Sequence, residues 1–162
     1  MRGREEPLDA FLTSVQSVSK EIPDLKVNFY GGFPGDLRSR YIDLFENNIV
    51  NNYPLIPNRE IQKKINESFA CLIFNAGAFT YGRSSKIYEY ATLRRPILSI
   101  DYGGEIERLI NEHRLGKSVN GMILMPLIKR YVRCMKSGKM IQQIRLSQKE
   151  SKNRLKKVKI IP

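Results

Sequence analysis

The chain has 162 residues, enough for one domain with a proper core and too few for two. Its 41% hydrophobic and 9% aromatic content fits a globular protein, and no window approaches the roughly 18 uninterrupted apolar residues of a membrane span. The net charge of +12 is uneven: residues 127–162 hold 12 Lys/Arg against Glu150 alone, so residues 1–126 carry only +1, which argues against a folded nucleic-acid-binding face.

The opening "MRGREEPLDAF" is charged and lacks the apolar core of a signal peptide. Leu8, Phe11, Leu12, Val15 and Val18 then recur at helical spacing, and "IPDLK" ends that helix. "KVNFYGGF" reads as a short strand stopped by two glycines. "PGDLRSRYIDLFENN" places Leu37, Tyr41, Leu44 and Phe45 on one helical face, with Asp36 as its N-cap. "IVNNYPLIP" is a weaker strand, and "NREIQKKINES" a short helix with Ile61 and Ile65 one turn apart.

"FACLIFNAG" is a continuous apolar strand, of the kind buried on both faces in a parallel sheet. The helix "SSKIYEYATL" follows, then a second buried strand, "PILSIDYGG", and a helix, "EIERLINEHRLGK", closed near Gly116. Beyond Ser118 the pattern weakens; "MILMPLIKRYVRCM" reads as helical after Pro126 and the last 25 residues as a basic helix or arm. Cys71 and Cys134 lack metal-ligand spacing, and Cys71 reads as a buried free thiol, so a reducing, cytoplasmic setting is expected.

This alternation predicts an α/β fold: a doubly wound, Rossmann-like, mostly parallel sheet with helices on both faces, over residues 1–126, followed by a C-terminal helix and basic tail over 127–162. Such a domain normally begins on a strand, whereas this chain opens on a helix. "MRGREEP" reads as the loop after an absent first strand, and a fragment of something larger is expected.

Ligands of open parallel sheets bind beyond the carboxyl ends of the strands. Of the loops there, "NAGAFTYGRSS" is the longest and leads into the helix that carries Glu89. Its helix start, with Ser84 and Ser85 as caps and Arg83 and Lys86 beside them, suits a phosphate. Glu89 lies about one turn further in, roughly 5 Å along the axis, where a carboxylate repels phosphate but accepts hydrogen bonds from vicinal hydroxyls. Phosphate at the tip and a sugar diol one turn in together describe a nucleoside diphosphate.

The stretch "SSKIYEYATLRRPIL…GGEIERLI…GKSV", with "R-x-x-P-L-x-x-F-L" from Arg4 and "P-x-L-K-V-x-F-x-G" ending at Gly31, resembles the C-terminal, donor-binding half of two-domain (GT-B) glycosyltransferases of family four. The resemblance spans about residues 2 to 119 and is most distinctive around 84–98. It implies that Glu89 holds the ribose hydroxyls and that amides near Ser84 and Ser85 hold the diphosphate. It further implies that "YPLIP" faces the base through its main chain and that Gly31, Gly32 and Phe33 line the donor cleft. Arg4 stands where the family has the first of two basic residues; Tyr81 stands where a second Glu is common.

The expected activity is therefore a hexosyltransferase-like glycosyltransferase, retaining by family resemblance. It moves a sugar from a nucleotide-diphosphate sugar to a glycan or lipid-linked acceptor, and is incomplete without an N-terminal domain. No cofactor or metal is expected, no nucleic acid is expected as a partner, and His113, near a helix end, is given no catalytic part. The basic tail either is a solvated arm or makes peripheral contact with the inner membrane face, where each Lys/Arg adds roughly 1 kcal/mol. The rival reading is a nucleic-acid or anionic-membrane-surface binding module acting through that tail.

Overall fold

The computed structural model describes residues 5–75 and 84–120. Over these the chain runs α1 (Glu5–Val18), β1 (Val27–Tyr30), α2 (Gly35–Arg40), α3 (Ile42–Glu46), β2 (Val50–Tyr53), α4 (Asn58–Glu67), β3 (Cys71–Phe74), α5 (Ser85–Thr92), β4 (Ile97–Asp101), α6 (Glu105–Glu112) and β5 (Gly116–Asn120). It is a mixed α/β fold. All strand pairs are parallel, in two sheets: β1 beside β2 with Val27 opposite Val50, and β3-β4-β5 with Cys71 opposite Ile97 and Ile97 opposite Gly116. Among the described residues, the single sheet expected from the alternation is divided between β1 and β3.

Two apolar cores follow from side-chain alternation along these strands. The larger packs Leu8, Phe11, Leu12, Val15 and Val18 of α1 and Leu37, Tyr41 and Leu44 of α2 and α3 against Val27, Val50, Leu98, Ile100 and Val119. The smaller packs Ile87 of α5 and Ile106 and Ile110 of α6 against Ile73 and Ile97. β4, flanked on both edges, is buried at every position. β3 is not the strand expected from its apolar run, for Leu72 and Phe74 are only half-buried.

Three local expectations are corrected. The helix predicted across 36–45 breaks at Tyr41, whose hydroxyl is tied to Thr13 Oγ1 and Asp9 Oδ1, each at 2.8 Å, so the chain bends to keep that anchor. Pro34, not Asp36, is the N-cap of α2. Gly116 does not close α6, which ends at Glu112 with His113 as its C-cap; it opens β5 instead. A Cβ at 116 would collide with the Ile97 carbonyl oxygen, so only glycine lets β5 approach β4 here. No helix of the described residues is long and apolar enough to cross a membrane. Residues 127–162, and with them the basic tail, lie outside the described residues.

Candidate functional site

α5 sets the geometry. Its N-cap, Ser84, is extended (φ −77°, ψ 122°) and makes no side-chain cap, so the expected hydroxyl cap is absent and, among the described residues, the first-turn amides have no side-chain partner. Ile87, 1% exposed, anchors the helix in the smaller core and fixes its rotation. That rotation brings Lys86, Glu89 and Tyr90 to the wall of a cavity of about 1030 Å³, together with Ser84 at the helix start. Glu89 Oε1 is buried and has no hydrogen-bond partner. An acceptor in that state is a standing demand for a donor, since an unmet buried polar group costs about 1–3 kcal/mol.

Around Glu89 stand groups to which the sequence assigned no part in the site. Burial pushes the Cys71 thiol up to about 11; the Glu89 carboxylate acts in the same direction, while Arg95 and Lys86 oppose it. Burial likewise pushes the Tyr90 hydroxyl up to about 12, with Cys71 and Glu89 adding to the shift. Arg95 donates from Nη1 to the Ser68 carbonyl at 3.2 Å and keeps a buried Nε without a partner. An unmet donor and an unmet acceptor thus occur in the same neighbourhood.

The opposite wall comes from β1, β2 and the segments that follow them. Tyr30 and Tyr53, opposite one another in the ladder, stack with ring centroids 5.2 Å apart at 24°. Gly32 and Phe33 line the cavity, as do Tyr53 to Ile56 of "YPLIP". Phe33 is held edge-on between Phe29 and Phe45, with centroid distances of 5.1 and 5.3 Å. Gly31 has φ 109°, a conformation that favours glycine; it lies beneath Leu55 and outside the cavity lining.

Of the residues expected at the site, Glu89, Ser84, Lys86, Gly32 and Phe33 therefore share one cavity. Ser85 begins α5 but is exposed and outside the lining, and Arg4 and Arg83 lie outside the described residues. Comparison with known proteins adds nothing here. No family profile, no curated protein and no solved structure matches this chain.

Asp101, at the carboxyl end of β4, is a second functional-looking acid that the sequence did not flag. It is 1% exposed and fully occupied: Ser99 Oγ donates to it at 2.6 Å, Ser118 Oγ at 2.9 Å to both oxygens, and the Gly103 amide at 3.1 Å. With its lone pairs spent on β5 and on the turn into α6, Asp101 is a structural tie. Glu89, by contrast, is the carboxylate with capacity to spare. Among the described residues no group of three or more His, Cys, Asp or Glu side chains is placed to hold a metal.

Proposed function

We propose that this chain is the donor-binding part of a glycosyltransferase, with a doubly wound, Rossmann-like layout, that holds a nucleotide-diphosphate sugar at the start of α5. The observation that carries the reading is the buried, unpartnered Oε1 of Glu89 in a cavity whose other walls are an aromatic pair and a helix start. A ribose supplies the missing donors from its vicinal hydroxyls. The diphosphate lies against the uncapped amides of α5, with Lys86 at hand, where the helix dipole and a cation both favour negative charge. The base meets the stretch Tyr53 to Ile56. As the leaving group forms, the same amides and lysine stabilise the charge growing on the diphosphate. The acceptor, glycan or lipid-linked, and most catalytic groups come from elsewhere.

Calorimetric titration with UDP and with GDP tests this. One of the two binds, and Glu89→Ala weakens it by about ten- to a hundredfold, the range of a lost hydrogen-bond pair to a charged group. Lys86→Ala weakens the nucleotide but not the parent nucleoside. Unchanged affinity on Glu89 substitution would remove the proposal's central contact.

A further inference from the structure

We infer that the cleft between β1 and β3 is the seat of a sixth β-strand, parallel to both and joined through its carboxyl end to the start of α1. Among the described residues no backbone hydrogen bond links β1 to β3. The bonds of Val27 and Gly31 N–H to Ile49 and Tyr53 carbonyls turn the odd residues of β1 toward β2. Those of Cys71 and Asn75 N–H to Pro96 and Ile100 carbonyls turn the odd residues of β3 toward β4. Alternation then aims the peptide groups of Asn28, Tyr30, Leu72 and Phe74 into the cleft from its two sides. Two strand edges facing one another are a template for a strand between them.

The cavity has the shape this requires. It touches residues 28 to 30 and all of 71 to 74, which point alternately to opposite faces, so it runs along the edges and not over one face. The half-burial of Leu72 and Phe74, beside the complete burial of β4, has the same origin. A strand in the cleft turns the order β2-β1 and β3-β4-β5 into one continuous six-stranded sheet, with the new strand in the position that the first strand holds in the doubly wound order 3-2-1-4-5-6.

Handedness identifies the donor. α1 packs in the same core as α2 and α3, hence on the same face. Right-handed parallel crossovers over one face all step in one direction. The crossover from β1 to β2 over α2 and α3 steps away from the cleft. A strand that reaches β1 over α1 must therefore lie on the other side of β1, in the cleft. The start of α1 is also correctly placed, because Glu6 lies beside Tyr102, just past the carboxyl end of β4, which is where a parallel strand in the cleft would finish. The occupant has four or five residues, apolar on both faces because cores lie above and below it, and belongs to polypeptide ahead of residue 1. The strand takes the length of the cavity along residues 28–30 and 71–74, so the nucleotide reading then requires Ser84, Lys86 and Glu89 to stay open beside it; amide exchange tests the strand and calorimetry the nucleotide.

The test is amide hydrogen exchange by NMR on the full chain, alone and with a Val-Ile-Val-Ile-Val strand and short Gly-Ser loop fused ahead of Met1. In the unfused chain, the amides of Asn28, Tyr30, Leu72 and Phe74 exchange at least about tenfold faster than those of Phe29 and Ile73, the factor of one net backbone hydrogen bond. Fusion brings the four to the level of their neighbours and raises Tm, whereas a fusion of alternating Asp and Pro does neither. Equal protection before fusion, or no gain after it, would overturn the inference. So would protection that grows with protein concentration as the unfused chain dimerises, which makes the occupant a second copy. The same peptide protecting equally well when added free would point to a strand supplied by a partner and overturn the assignment of the donor.

Discussion

Replacing Asp101 probes how far a buried acid holds the carboxyl end of this sheet together. In Asp101→Ala, the Ser99 hydroxyl, in a residue with no exposed surface, loses its acceptor. The Ser118 hydroxyl and the Gly103 amide lose theirs in half-buried positions that water reaches more easily. One fully orphaned hydroxyl costs about 1–3 kcal/mol, and two partly rehydrated donors add about 1 kcal/mol together. The expected loss is thus about 2–4 kcal/mol, a large share of a total stability of about 5–15 kcal/mol. Asp101→Asn keeps the size and one acceptor oxygen, and the serine hydroxyls can rotate to accept from its amide, so its expected loss is smaller, about 1–2 kcal/mol.

Urea denaturation followed by far-UV circular dichroism reads both as a lower midpoint at unchanged slope. The decisive comparison is the double variant Ser99→Ala with Asp101→Ala. Once the donor is gone as well, no orphan remains, and the aspartate substitution should cost about 1–2 kcal/mol less than it does alone. Additive losses, or an Asp101→Ala cost below about 0.5 kcal/mol, would refute the orphan argument.

Other expectations follow from single contacts. Gly116→Ala forces a methyl group against the Ile97 backbone, which lies in a strand buried at every position, and should cost more than about 3 kcal/mol or prevent folding; thermal melting checks this. Cys71 should resist alkylation by iodoacetamide at pH 8, where its thiol, pushed up to about 11, stays protonated. Because its folded-state value is raised, the native state holds this proton more tightly than the unfolded chain. Stability from this group is therefore complete below about pH 9 and falls between there and about pH 11. Melting temperatures across pH 8 to 11, compared with those of Cys71→Ala, measure it.

Much of the fold is legible in the chain because its helices and strands repeat at different periods. Leu8 to Val18 marks α1, and the apolar runs mark β3 and β4. β5 escaped because "GKSVN" has one buried apolar residue, Val119, and is a strand through its pairing with β4 rather than through its own pattern. The break at Tyr41 escaped for a similar reason: the hydroxyl contacts that cause it come from α1, some thirty residues earlier. At the candidate site, the position of Glu89 on its helix was readable, and five expected residues do share a cavity. Arg95 and Asp101 were not readable, since nothing in the local sequence distinguishes a buried, partnered charge from a solvated one.

The division of the sheet also governs how this molecule comes apart. Among the described residues no peptide ladder holds the β1–β2 unit to the three-stranded unit; the seam is side chains, with Leu98, Ile100 and Val119 in one core with α1, and Phe74 edge-on to Phe11 at 5.4 Å and stacked near Phe29 at 6.3 Å. The smaller core, by contrast, draws on β3, β4, α5 and α6 alone. On warming, β3, β4, α5 and α6 can keep that smaller interior after the larger core has parted. A partly melted state that has lost the larger core and kept the smaller one is therefore open to this chain.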